Sequence, residues 1–247
     1  LDSSAGSEWY KGQVLGSTTV ALLEKIGQVL TADITKDFKL KKKVAEEIHE
    51  LTFVDHLKKR RSIHVLGKKV HFSQAYLAEL IQEAVRSCPS ALNSQSSRIV
   101  VLFGDSHAKF WEIVKEVQRK IIAVHVFAGT EMKIDQYAAG FGTVLFYEDQ
   151  RTIQQLQKQI PFNSADFPIW SEQTSGMAQY AVWTALADSG VGACLQHYNP
   201  SIDSAVAQYL SIESSWLLRA QLVFGSIERE ADEKLDPQDG DRFKIFV

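Results

Sequence analysis

Apolar positions alternate along the chain between helix-spaced stripes and short continuous runs. Leu23, Ile26 and Leu30 stand at i, i+3 and i+7 behind Ser17, a capping residue, so residues 17–30 are expected to be helical. A second helix is expected over 37–50, with Leu40, Val44 and Ile48 on one face. A third covers 52–60 and closes on Lys58, Lys59, Arg60 and Arg61, where cations complement the carbonyl end of a helix. Ser73 is placed to cap a helix bearing Leu77, Leu80, Ile81, Ala84 and Val85. That helix must stop before Cys88-Pro89, because the residue ahead of a proline is disfavoured from helical backbone. Residues 98–104 form a short β-branched apolar run, the pattern of a buried strand, and Asp105 is expected to cap a long helix carrying Phe110, Val114, Val117 and Ile121. Further strands are expected at 141–147, 191–197 and 216–227, with a long helix over 164–188. Asn199-Pro200 is expected to open a short helix, proline taking its first position. Strands spaced by helices indicate a layered α/β or α+β domain.

Composition narrows the classes. A chain of 247 residues with 45% hydrophobic content can bury a sizeable core, which excludes disorder throughout. Its longest apolar stretches, around 121–128 and 178–187, fall well short of the ~20 residues that a bilayer demands. Two cysteines, Cys88 and Cys194, cannot build a disulfide framework, and no charged stretch followed by an apolar one opens the sequence. A reducing, cytoplasmic setting is therefore expected. The net charge of −3 argues against a dedicated nucleic-acid binder and against a membrane-surface role, but the charge is uneven. Residues 36–69 hold eleven Lys and Arg against five Asp and Glu. Such a strip on an acidic body suits a discrete anion such as a phosphate, or is simply a solvated helix face. A nucleic-acid surface formed by 36–43 and 58–61 is the weaker third reading, with only this charge in its favour.

The sequence lacks a Walker loop, a G-x-G-x-x-G after a strand, a nucleophile elbow and the H-E-x-x-H and C-x-x-C metal or redox motifs. Cys194 and His197 are three apart; on a strand they point to opposite faces and make a poor nucleophile–base pair. His64 and His71 are isolated, so no metal set is expected. Three polar constellations remain. Arg60-Arg61-Ser62-Ile63-His64 puts two guanidiniums and a hydroxyl on consecutive residues, the donor set of a phosphomonoester site. The loop 89–98 carries Asn93 and Gln95, whose amides offer both donor and acceptor to the mixed edge of a heteroaromatic ring; as a bare loop it would merely cap a strand. The run 190–200 ends a strand in Leu195, Gln196, His197, Tyr198 and Asn199, at the edge where α/β proteins place ligands.

Taken in order, these strings resemble the FMN-dependent nitroreductase family. Asn93-Ser-Gln-Ser-Ser-Arg98, Leu195-Gln-His-Tyr-Asn-Pro200 and Asp241-Arg242-Phe243-Lys244 are similar to its compact, yeast-type fatty-acid-repression-mutant subgroup. The resemblance covers residues 53–247 and leaves 1–52 as a helical extension. It implies an α+β fold of three layers, α-β-α, with a mostly antiparallel central sheet flanked by helices, in a homodimer whose FMN sites lie at the interface. It implies that Arg60, Ser62 and Arg242 hold the FMN phosphate and ribityl chain with help from Arg61. Asn93 and Gln95 would meet the isoalloxazine edge, Leu195, Gln196 and His197 would sit against the ring near its reactive nitrogen, and His64 near the pyrimidine side, where many members have Lys or Arg. In the C-terminal motif Gly240 takes the place of a second basic residue two before Arg242, and Lys244 stands two after. The implied activity is hydride transfer from NAD(P)H through flavin to small nitroaromatic or quinone-like acceptors, with no separate acid–base dyad. The alternative is a flavin-binding regulatory protein of stress or lipid signalling that turns over little.

Overall fold

The computed structural model describes residues 52–247 apart from 235, 236 and 238; the helices expected over 17–30 and 37–50 lie outside the described residues. The apolar runs build one sheet of five strands: β1 (Leu66–Gly67), β2 (Ser97–Phe103), β3 (Gly142–Asp149), β4 (Gly192–Gln196) and β5 (Trp216–Ile227). Every strand pairing is antiparallel. β3 lies between β2 and β5, and β5 also pairs with β4 and, at its end, with β1. Among the described residues seven α-helices accompany the sheet: α1 (Phe53–Lys59), α2 (Gln74–Arg86), α3 (Gly104–Ile121), α4 (Val124–Ala138), α5 (Gln150–Gln159), α6 (Phe167–Asp188) and α7 (Asp203–Leu210). None is long and apolar enough to cross a membrane.

Alternation along β3 explains the layering. Val144 and Phe146 point to a core with Leu77 and Ile81 of α2 and Ala178, Val182 and Leu186 of α6. Leu145 and Tyr147 point the other way, to Phe110, Trp111 and Val114 of α3, Ile134 and Tyr137 of α4, and Val206 of α7. Helices thus cover both faces, giving the three-layer α+β arrangement, and each fully buried large apolar side chain contributes about 1.5–3 kcal/mol. β5 faces both cores, with Val223 on the α3 side and Leu222 and Phe224 on the α6 side, and it carries a bulge. Phe146 opposes Ala220 and Tyr147 opposes Leu218, so Arg219 is left without a partner on β3. Leu218 therefore joins the α3 core and Ala220 the α6 core, although two residues apart on a regular strand share a face.

Local signals fared unequally. Ser73 caps α2, its Oγ accepting from the Tyr76 N–H at 3.1 Å. α3, however, starts at Gly104, with Phe103 at the cap position and no side-chain cap bond. β2 runs straight into the helix at Gly104, whose φ is +52°, so Asp105 falls inside the first turn and complements the helix dipole instead of capping. α7 begins at Asp203, three residues beyond Pro200, because 200–202 form a turn in which the Asp203 N–H bonds the Pro200 carbonyl at 3.1 Å. Neither α4 nor α5 is foreshadowed by the apolar stripes. α4 exposes Val124, Val126 and Met132 and carries Gly129, and α5 has five glutamines and buries Ile153 alone.

His107 on α3 is buried and fully bonded. Its Nε2–H donates to the Ala138 carbonyl at 3.2 Å, and its Nδ1 accepts from the Thr143 hydroxyl at 2.9 Å. Trp111 Nε1–H donates to the same hydroxyl oxygen at 2.9 Å. Burial lowers the His107 pKa from 6.5 to about 4, so the folded state holds the neutral ring while the unfolded chain takes up a proton between those values. Stability from this residue is present above pH 6.5 and is lost as pH falls toward 4, by about 3 kcal/mol. Burial raises Asp203 to about 6, which acts with the opposite sign in an overlapping range. The difference between wild type and His107→Gln in urea unfolding at pH 7 and pH 4 isolates the histidine. The variant should lose less stability on acidification, and parallel losses would refute the assignment.

Candidate functional site

The site begins with an anchored helix. His56 Nδ1 and Lys59 Nζ of α1 meet the Asp188 carboxylate at the end of α6, at 2.7 and 2.8 Å. That contact brings the following Arg60 onto α6, its guanidinium 4.4 Å above the Trp183 ring. The chain then runs extended along the free edge of β4. Ser62 bridges Ala193, and the Ile63 N–H donates to the Ala193 carbonyl at 3.0 Å. Buried Ile63 pins this segment to the core, which leaves its neighbours Ser62 and His64 exposed on the opposite side.

These residues line one cleft. Arg60, Arg61, Ser62 and His64 form one wall and Arg229, Glu230, Ala231, Asp232 and Glu233 the other, around a volume of about 260 Å³. Arg61 donates to the Asp232 carbonyl. None of the three guanidiniums is in an ion pair with a described residue. Arg229 escaped the sequence reading because it arrives from the far end of β5, where the Glu228 N–H bonds the Val65 carbonyl at 3.1 Å.

His64 is not isolated. Its Nδ1 lies 3.3 Å from Cys194 Sγ on β4, and Gln196 Nε2–H donates to the same sulfur at 2.9 Å. Cys194 and Gln196 share the face covered by α4, where Tyr137 is buried. Burial raises the Cys194 thiol to about 11, partly countered by the Gln196 bond, so the group stays protonated at neutral pH and is no nucleophile. Burial likewise pushes the Tyr137 phenol up and raises Tyr198 to about 12. Leu195 points to the α6 side, partly buried, while His197 is exposed just past the end of β4. Gln221, fully buried, fixes that end by accepting from the Tyr198 N–H at 2.8 Å and donating to Asn199 Oδ1 at 3.1 Å.

Asn93 and Gln95 belong to a second cleft of about 340 Å³, with Arg86, Ser90, Ser97, Arg98 and Thr174 among its lining. Their loop has left-handed backbone at Leu92, Asn93 and Gln95, with φ of 52°, 53° and 48°. Left-handed backbone is costly for residues other than glycine, about 1–2 kcal/mol each, so the surroundings must hold it. Gln95 Nε2–H donates to Asn93 Oδ1 at 3.1 Å, which aligns the two amides. Arg242 is exposed, its guanidinium 5.5 Å from the Phe243 ring, and it is not among the described residues lining either cleft.

The sequence pattern of the nitroreductase family matches residues 57–226. The chain belongs to the nitroreductase family. Nitroreductase CinD from Lactococcus lactis, solved in complex with chloramphenicol, is 46% identical, with a TM-score of 0.73 over 79% of this chain and 100% of that one. HBN1 of Saccharomyces cerevisiae is 33% identical over 185 residues, which are 74% of this chain and 92% of that protein. Nitroreductase FRM2 of the same yeast is 33% identical over 61% of this chain and 74% of its own. These two relatives place the chain with the yeast-type nitroreductases. A Desulfovibrio desulfuricans protein solved with FMN shares the fold, with a TM-score of 0.58 at 17% identity over 76% of this chain and 94% of that one. As a nitroreductase-family member the chain is an oxidoreductase.

Proposed function

We propose that this oxidoreductase binds FMN and passes hydride from NAD(P)H to small nitroaromatic or quinone-like acceptors. The observation that carries the reading is the cleft beside β4, lined by the Ser62 hydroxyl and by three guanidiniums that make no ion pair with a described residue. That donor set fits a phosphomonoester, and the paired amides of Asn93 and Gln95 fit the mixed donor–acceptor edge of an isoalloxazine. In this reading Arg60, Arg61 and Ser62 hold the phosphate and ribityl chain, with Arg229 added to the original set. Binding exchanges the Arg61 contact to the Asp232 carbonyl for an anion. Leu195, Gln196 and His197 border the ring, and His64 faces its pyrimidine side. When bound, FMN supplies the hydride chemistry. The protein's own groups orient it and keep their protons, which suits the neutral Cys194 and Tyr137.

Arg60 of the first cleft stacks on Trp183 of α6, whereas the second cleft meets α6 near Thr174. A site that uses both is best served by two chains, and we propose a homodimer, with residues 53–247 as the flavin-binding domain. An apolar recess of about 560 Å³ lined by Phe53, Leu57, Met177, Tyr180 and Ala181 offers the face for a second copy, since such surface is a liability on a lone soluble chain. Arg242 remains proposed for the phosphate, reached across the dimer and not within one chain. A cytoplasmic setting is proposed with it.

The purified full chain should be yellow, carry FMN near one per subunit and sediment as a dimer. It should oxidise NADH or NADPH at about 1–1000 per second with a nitro acceptor. 4-Nitrophenol, bound in a second structure of the Lactococcus protein, is a suitable first acceptor. A colourless protein that takes up no FMN would refute the reading. Near-background turnover with FMN bound would favour a regulatory role, and a monomer with full FMN would refute the two-chain site.

A further inference from the structure

β3 carries no charged side chain until it reaches Glu148, which is fully buried. No described cation pairs with this carboxylate. Three hydroxyls donate to it instead: Ser96 Oγ at 2.5 Å and Ser171 Oγ at 2.7 Å on Oε2, and Ser97 Oγ at 2.5 Å on Oε1. Taking a carboxyl group from water into a core is costly, and an apolar residue would pack there without that cost. Its placement therefore calls for a reason. Ser96 and Ser97 are the residues that join the Asn93–Gln95 loop to β2, and Ser171 stands on α6 across the layer.

The next residue, Asp149, is also buried and extends the contact to the loop. The Asp149 N–H donates to the Ser96 carbonyl at 2.9 Å, and its carboxylate takes Arg98 Nη2 at 3.1 Å. Arg98 Nη1 in turn donates to the Gln95 carbonyl at 2.7 Å, while Ser90 Oγ accepts from the Gln95 N–H at 3.0 Å. The left-handed turn at 92–95 is thus gripped from both sides, and Glu148 is the part of the grip sealed inside the protein.

We propose that Glu148 is a positioning residue for the flavin edge: through Ser96 and Ser97 it holds the Asn93 and Gln95 amides at the angle the ring requires. The inference rests on the FMN reading of the second cleft. It reaches the cofactor only through the loop, since Glu148 itself does not line that cleft.

Two variants test it in the full chain, Glu148→Gln and Ser96→Ala, the second removing one buried hydroxyl and nothing that faces the cleft. Hydrogen exchange of the amides at 90–97 is read without FMN. FMN affinity and the visible circular dichroism of the bound flavin are read with it. Both variants should exchange about tenfold faster across the loop, bind FMN about tenfold more weakly and change the flavin dichroism, the scale set by loss of one charge-assisted bond. If Glu148→Gln does not fold, Ser96→Ala decides by the same three measures. A lower melting temperature with loop exchange, affinity and dichroism unchanged would mean that Glu148 serves the fold alone and overturns the proposal. Wild type failing to bind FMN overturns the function reading, and the exchange data then still judge the grip. Wild type binding FMN with both variants indistinguishable from it overturns this inference alone.

Discussion

Arg60→Ala should raise the dissociation constant for FMN by about ten- to a hundredfold and leave the fold standing. The loss corresponds to about 1.5–3 kcal/mol for one charge-assisted phosphate contact. Arg60 has no carboxylate partner among the described residues; its guanidinium stacks on the face of Trp183, at 4.4 Å. Stacking on an indole orients the planar guanidinium and contributes about 0.5–1 kcal/mol at an exposed site, so the variant's melting temperature should fall only slightly. Arg60→Lys sharpens the test, because a lysine keeps the charge but loses the flat two-pronged donor and the stack. It should fall between wild type and alanine. Fluorescence titration of FMN into flavin-stripped protein gives the constants, and equal affinities for all three proteins would remove Arg60 from the phosphate site.

Trp111→Ala should cost about 5 kcal/mol of stability, near the whole margin of an ordinary domain. Trp111 is fully buried on α3 and packs against Phe110, Tyr137 and Tyr198 at ring-centre distances of 5.1, 5.2 and 5.9 Å. Truncation leaves a cavity between α3, α4 and the end of β4. It also takes the indole N–H from the Thr143 hydroxyl, which holds His107. Trp111→Phe keeps most of the volume and loses only that bond, so it should cost clearly less. Urea unfolding followed by far-ultraviolet dichroism measures both, and an alanine variant within about 1 kcal/mol of wild type would contradict the packing account.

What could be read from the residues depended on how far each signal had to travel along the chain. β5 is recognisable from end to end because its apolar run is long and flanked by polar turns. α2 is marked by its own cap and by the proline that follows it. Arg60, Arg61, Ser62 and His64 stand out because a phosphate-type donor set happens to be contiguous. The contact between His64 and Cys194 is invisible at that range, since it exists only through the bridge from Ser62 to Ala193. Arg229 is hidden for the same reason. The polarity of the Asn93–Gln95 loop is plain in its composition, whereas its left-handed backbone depends on Glu148, remote in sequence, and on an Arg98 contact that the motif string does not itself disclose. α5 went unread because a helix that buries one isoleucine has no stripe to detect. Arg242 matches a family string, yet in the single chain it stands apart from the cleft that string was expected to complete.

Arg219, the extra residue of the β5 bulge, shapes the strand more than its own side chain stabilises it. Its side chain forks onto Glu172 at 2.7 and 2.9 Å, but both groups are partly solvated, and such pairs are worth at most about 1 kcal/mol. Most replacements at 219 keep the spacing and should be absorbed. Removing the residue would leave Leu218 opposite Tyr147 and Ala220 opposite Phe146 in plain alternation, each still in its own core, and would take out the local bend and added twist of a bulge. Position 219 thus sets the curvature of the strand, while the β3 partners sort Leu218 and Ala220 between the two interiors.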